Sequence, residues 1–383
     1  MESSIKLLTV SGIEIRMHLT FPLILLWGAL QFGLVLGLGL PGAAFGVLVT
    51  LLLFVIVVLH ELGHSYAALG YKIPVQRIVL LPIGGVAELG RLPEDPRQEL
   101  VVALAGPAVN FVLAVALWLV AQVTPLGRAL AGDPLPQLFT GGMLADPVAA
   151  VFQYVFSANL AIGLFNLLPA FPLDGGRVLR ALLAMRLTYP RATAVAVGIG
   201  QTMAWLLGLW GVLNGNFFLV ILAIFIYMAG SQEGRMVQVK NVLASVRVRQ
   251  AFARRAVVLM PYDPVSRAVE LTLQSFQADF PVCDGGRVVG LVTAADVMQA
   301  LQQHREHVPV AQVMRTEFPI ASPLDSVYDV QQRMLELNLS AVPVVEDGVF
   351  VGMLTSRDIS ELYQMLSVSP HLLGQRSGEA LPR

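Results

Sequence analysis

Charge is scarce in this chain. Charged residues make up only 13% of its 383 residues and apolar ones 56%, a balance too apolar for a water-soluble protein of this length. The net charge of −1 lacks the basic excess of a nucleic-acid binder, so no nucleic-acid partner is expected. Cysteine is nearly absent: Cys283 stands alone and no intramolecular disulfide can form, as suits a soluble part kept in a reducing compartment. The stretch Met1 to Met17 lacks an apolar run and a small-residue cleavage site, so no removable signal peptide is expected.

The scarcity of charge is uneven. Residues 1–230 hold 11 of the 25 Lys and Arg, and residues 231–383 hold the other 14. The first part reads as membrane and the second as a soluble domain. Six apolar stretches reach or approach the length that crosses a hydrocarbon core: about 19–40, 43–69, 99–123, 147–168, 192–213 and 216–230, the last being the shortest. The first two are joined only by Pro41-Gly42, which predicts a tight helical hairpin there. Ten Lys and Arg fall on one face (Lys6, Arg16, Lys72, Arg77, Arg91, Arg97, Arg177, Arg180, Arg186, Arg191) against Arg128 on the other. That asymmetry predicts six spans in the cytoplasmic membrane with both termini cytosolic.

Tyr71 to Gly90 breaks the helical pattern. Ile73, Val75, Ile78, Val79, Leu80 and Leu81 favour strands, and Pro82 and Gly84-Gly85 punctuate them. A short β-hairpin or sheet against the cytosolic side of the membrane part is expected, with an ordinary loop as the alternative. Residues 231–249 read as a juxtamembrane linker, with Arg235, Lys240, Arg247 and Arg249 near anionic headgroups.

The soluble part repeats itself. A shift of 62 residues lays Pro261 on Pro323, Asp263 on Asp325, Pro281-Val282 on Pro343-Val344, Val289-Gly290 on Val351-Gly352, Thr293 on Thr355 and Asp296 on Asp358. Each half reads as helix, strand, turn, strand, helix, with hairpin turns at Asp284-Gly285-Gly286 and Glu346-Asp347-Gly348. The pattern resembles a tandem pair of CBS domains, with repeats at 250–306 and 307–366 and a Pro-, Gly- and Ser-rich tail, 367–383, expected to be disordered.

At the end of the second span stands His60-Glu61-Leu62-Gly63-His64, after a run from Leu51 to Leu59 without a polar residue. Positions i and i+4 share one helix face, so both imidazoles can meet one ion, with Glu61 in the same turn to take a proton from water bound to Zn2+. Ionisable groups at membrane depth are costly and need partners or a wet cavity. A catalytic zinc usually takes three protein ligands. The other histidines, His18, His304, His307 and His371, are poorly placed, so a carboxylate is expected. Asp174 follows the fourth span on the same side, after Pro169 and Pro172. Capping the helix that opens at Gly175-Gly176 is the alternative role for Asp174, compatible with ligation.

His-Glu-Leu-Gly-His together with the segment Asn166 to Arg177 (NLLPAFPLDGGR) resembles the site-2 protease family of intramembrane metalloproteases. Gly106-Pro107-Ala108-Val109-Asn110 looks like that family's Gly-Pro-x-x-Asn element, and the resemblance covers about residues 10–230. It implies that His60, His64 and Asp174 bind one zinc, that Glu61 is the catalytic base, and that Asn166 lies at the active site to polarise the scissile carbonyl. It also implies that the strand around Gly84, Gly85 and Val86 pairs with a transmembrane protein substrate. The expected fold is an α-helical polytopic membrane protein followed by an α/β tandem CBS domain, as in the prokaryotic branch that carries this regulatory tail.

In CBS pairs the G-h-x-T-x-x-D pattern often binds the ribose of an adenine nucleotide. Thr293 and Asp296, and Thr355 and Asp358, stand in that pattern, which implies ATP or AMP as ligand and regulation of the protease by it. The same residues are good helix caps, which is the plainer reading. Such pairs also form homodimers. Two rival functions remain. A CBS-regulated transporter needs no HExxH and would line a path across the bilayer. A non-catalytic membrane-helix-binding relative would lack Glu61 or a ligand. Bound zinc lost on His64→Ala separates the protease from both.

Overall fold

The computed structural model describes residues 4–82, 84–89, 94–127, 146–254, 256–275 and 277–368. Arg91 and Arg128, used in the topology argument, and nearly all of the tail lie outside the described residues. The chain divides into two compact units, Met1–Gly234 and Arg235–Arg383.

The first unit opens with two strands that the sequence reading did not anticipate: β1 (Ser4–Val10) and β2 (Ile13–His18). They are joined by Ser11 and Gly12, both at positive φ, the backbone a two-residue hairpin requires. β3 (Val75–Leu81) and β4 (Gly84–Leu89) form the hairpin expected between Tyr71 and Gly90. The four make one sheet in the order β1-β2-β3-β4, with β2 and β3 parallel and β4 at the edge. One face of the sheet is apolar: Ile13, Ile15, Ile78 and Leu80 pack against Phe21, Phe54 and Leu62.

Phe21 precedes α1 (Pro22–Leu30), and Phe54 and Leu62 belong to α2 (Gly39–Gly70). The apolar helix of the first expected span is short, Pro22–Val35. The turn between the first two helices is not at Pro41-Gly42. It falls at Gly37 and Gly39, whose φ of 69° and 61° reverses the chain, and Pro41 sits in the first turn of α2, where its missing N–H costs nothing. Gly42 and Gly46 then let α2 lie against the preceding segment without side chains between them.

The remaining helices are α3 (Pro96–Val123), α4 (Pro147–Asn166), α5 (Asp174–Ala184), α6 (Tyr189–Leu213) and α7 (Phe217–Ala244). Asp95 starts α3 by accepting from the amides of Arg97 and Gln98, and Asp146 starts α4 by accepting from Ala149. Among the described residues five helices (α2, α3, α4, α6 and α7) are long and apolar enough to cross a membrane. Helix α7 runs on to Ala244, through most of the stretch read as a linker.

The second unit contains α8 (Val265–Ser275), β5 (Phe280–Asp284), β6 (Arg287–Val292), α9 (Ala294–Gln302), α10 (Val327–Glu336), β7 (Ala341–Glu346), β8 (Val349–Thr355) and α11 (Ser356–Val368). The hairpin turns are where the repeat placed them: Gly285-Gly286 and Asp347-Gly348 all have positive φ. The 62-residue shift holds in three dimensions. The bridge Leu259–Val282 is matched by Ala321–Val344, and Leu291–Arg315 by Met353–Ala253. Each repeat has its own apolar core, one around Leu259, Phe280 and Val292, the other around Ala321, Val342 and Leu354.

Candidate metal centre

Helix α2 presents both imidazoles on one face, because four residues make slightly more than one turn. The rings of His60 and His64 lie 4.8 Å apart, centroid to centroid. The third group arrives from far along the chain. After α4 the chain folds back so tightly that Gly175 lies against the carbonyls of Leu167 and Leu168, where no side chain would fit. Helix α5 therefore begins with Asp174 directed at α2. His60 Nε2 is 3.1 Å and His64 Nε2 3.2 Å from Asp174 Oδ2, and the two Nε2 atoms are 3.1 Å apart. All three residues are buried, and they form a group that could hold a metal ion.

The other ring nitrogens define the chemistry. His60 Nδ1 donates to Asn110 Oδ1 at 2.5 Å, and His64 Nδ1 donates to the Val102 carbonyl at 2.7 Å. In the neutral imidazole, whose single proton these bonds hold on Nδ1, each Nε2 turns a lone pair inward. Two nitrogens and a carboxylate oxygen then face one another with no proton between them, an arrangement that a cation makes favourable. Ligands bound tetrahedrally at the usual zinc distances stand about 3.3 Å apart, close to the triangle seen here. The donor set, the separation and the hydrogen-bonded outer nitrogens all fit zinc. Gly106 on α3 backs directly onto both rings, leaving no room for a β-carbon.

Glu61 is half-buried and packs against β4: a β-carbon on Gly85 would lie 2.9 Å from Glu61 Cγ. The sheet edge thus passes beside the metal group, with Gly84 before it and exposed Val86 after it. Asn166, half-buried, ends α4 and makes no hydrogen bond to the three clustered residues.

Two features escaped the sequence reading. In the sequence Arg180 shows only as a cytosolic positive charge, yet it is 1% exposed. Its Nε and Nη2 donate to Glu99 Oε1 at 2.8 and 2.5 Å, its Nη1 donates to Glu233 at 2.5 Å, and its guanidinium lies 4.9 Å from the Phe171 ring centre. It fastens the helix that carries Asp174 to α3 and α7. Glu99 at the head of the third apolar stretch was the available signal. The second feature is Asn159, buried beside Asn110.

In the CBS repeats both Thr-Asp pairs cap their helices. The Thr293 and Thr355 hydroxyls donate to Asp296 and Asp358 at 2.7 Å. The halves differ at one point. Arg315 donates to Asp296 through Nε at 3.0 Å and Nη2 at 3.1 Å. The position 62 residues earlier is Ala253, and among the described residues no cation pairs with Asp358. Burial alone would raise the Asp296 carboxyl, but hydrogen bonds from Arg315 and Thr293 outweigh it and hold the group below the ordinary aspartate value.

The profile of peptidase family M50 matches residues 48–207, and that of the CBS domain matches 248–303 and 310–364. Zinc metalloprotease MJ0392 of Methanocaldococcus jannaschii is 31% identical over 373 residues, which is 97% of this chain and 99% of that protein. Among solved structures, the site-2 protease from the same organism is 35% identical over 61% of this chain and 95% of its own, with a TM-score of 0.43. The CBS domain pair of protein MJ0100, in complex with 5'-methylthioadenosine and S-adenosyl-L-methionine, is 26% identical over 31% of this chain and 97% of its own, with a TM-score of 0.30. Identity across nearly the whole length of a zinc metalloprotease, with both family profiles in the same order, shows that the chain belongs to peptidase family M50 and is a zinc metalloprotease of site-2 protease type carrying tandem CBS domains.

Proposed function

We infer that the chain hydrolyses peptide bonds in or beside transmembrane segments of other membrane proteins, and that its CBS pair regulates this by binding an adenine nucleotide. His60, His64 and Asp174 hold the zinc. When bound there, zinc polarises a carbonyl and acidifies water. Glu61 takes the proton and returns it to the leaving amine. Asn166, at the end of α4, is assigned as a donor to the scissile carbonyl.

The observation that carries this reading is the closeness of β4 to Glu61. A helix hides its carbonyls in internal hydrogen bonds, so a transmembrane substrate must unwind before it is cut. Among the described residues no strand pairs with the outer edge of β4, and such an edge offers amides and carbonyls to an extended backbone. Gly84 and Gly85 keep that edge free of large side chains. With Pro22–Val35 taken as a sixth, short span, both termini share one side of the cytoplasmic membrane, and the Lys and Arg asymmetry assigns that side, with the CBS pair, to the cytosol.

Incubation of the purified chain with a membrane substrate tests the chemistry. Cleavage at the normal rate by Glu61→Gln would overturn the assignment. Proteomics of membrane fragments from cells with native and Glu61→Gln enzyme identifies the substrate. For the CBS pair, calorimetry of the full chain with ATP and AMP should show heat that is lost in Asp358→Ala. No heat with either nucleotide removes the regulatory reading.

A further inference from the structure

The amide of Asn110 can face His60 in two ways, and only one is useful. Its oxygen accepts and its NH2 donates. The oxygen is the end that meets His60 Nδ1, at 2.5 Å, so the ring keeps its proton on Nδ1 and turns a bare Nε2 toward Asp174. With the amide reversed, Nδ1 would have to accept, and the proton would move to Nε2, where the cation belongs.

The direction of that amide is decided one helix away. Asn110 Nδ2 donates to Asn159 Oδ1 at 3.2 Å, and Asn159 Nδ2 donates to the Val155 carbonyl at 2.8 Å. A backbone carbonyl can only accept. Starting from Val155, every amide in the relay has one permitted orientation: NH2 of Asn159 to Val155, oxygen of Asn159 to Asn110, oxygen of Asn110 to His60. Asn110 and Asn159 are 0% and 1% exposed, so bulk water does not compete for either amide.

We propose that Asn159 is a positioning residue for the metal centre, orienting Asn110 so that His60 offers an unprotonated Nε2. This rests on the reading of His60 as a zinc ligand. Asn159 lies seven residues before Asn166 on α4 and has no part in the proton transfers assigned to Glu61. Outer-shell partners of metal-binding histidines typically change affinity by about 10- to 100-fold when removed.

The test is zinc affinity of the purified full chain, measured by partition against a chelator of known strength. Asn159→Leu should weaken zinc binding by about 10- to 100-fold. Asn159→Asp gives up the donation to Val155 but keeps an oxygen toward Asn110, and should hold zinc more tightly than Asn159→Leu. Asn110→Asp supplies the decisive background, because both oxygens of a carboxylate accept and none needs orienting. In that background Asn159→Leu should cause no further loss. A residue that merely fills space would cost the same in both backgrounds, and that result overturns the proposal, as does native affinity in Asn159→Leu. Where the Leu variant does not fold, Asn159→Ser, whose hydroxyl is too short to reach Asn110, makes the same comparison. Zinc retained in His60→Ala removes the ligand reading itself. Zinc lost in His60→Ala but kept in Asn159→Leu removes the relay alone.

Discussion

Gly106 and His60 are in contact across the α2–α3 interface: a β-carbon at position 106 would lie 2.7 Å from His60 Nε2 and 2.6 Å from His64 Cε1. The rings cannot retreat, because both Nδ1 atoms are tied to Asn110 and to the Val102 carbonyl. Gly106→Ala should therefore tilt the rings and lower zinc affinity and cleavage by about tenfold or more. Metal analysis after dialysis reads the first and a cleavage assay the second. Full zinc occupancy with normal turnover would show that the interface yields.

Glu61 and Asp174 should separate chemistry from binding. Glu61→Gln should keep one zinc per chain and lose about 10²- to 10⁴-fold in rate, the range for a lost general base. Asp174→Asn should lose the metal itself. Zinc content and single-turnover cleavage on the same preparations distinguish the two.

Arg180 should be hard to remove alone. Arg180→Leu strands the Glu99 carboxylate, which is 2% exposed, and breaking a buried pair in this way costs about 3–5 kcal/mol. Arg180→Leu with Glu99→Leu should recover much of that loss. Thermal unfolding in a mild detergent gives the order, and a double variant no better than the single would place the cost elsewhere.

Asp296 predicts an acid limit for the CBS unit. Its folded pKa is depressed below that of the unfolded chain, so its contribution is complete above the unfolded value, about 3.9. It is lost as pH falls from there through the lower folded value. Asp296→Asn should flatten the acid loss of protection across β6 and α9, read by hydrogen exchange of the full chain between pH 5 and pH 3. An unchanged pH dependence would show that Arg315 does not stabilise the ionised form.

Much of the metal group was legible because it is written in local spacing. The His60–His64 interval and the apolar run before it need only a helix, and Asp174 was reachable through the prolines that end α4. The CBS repeats were legible because a constant shift aligns turns, glycines and Thr-Asp pairs. What stayed hidden depends on partners distant in sequence. Arg180 looks like any cytosolic arginine until Glu99, Phe171 and Glu233 surround it. Asn159 is one of several polar residues in a mainly apolar helix until Asn110 faces it. β1 and β2 carry Lys6, Glu14 and Arg16, which pair with one another. Their charges mask the strand pattern in the sequence, although Ser11-Gly12 marks a hairpin turn.

The position of β4 at the sheet edge bears on selectivity. A strand edge measures the spacing of amides, and every polypeptide has the same spacing. An enzyme that grips its target through such an edge discriminates little between neighbouring side chains. It favours instead targets whose helices come apart cheaply, so glycine and proline near the cut, which weaken a helix by about 1 and 3 kcal/mol each relative to alanine, would matter more than any consensus motif.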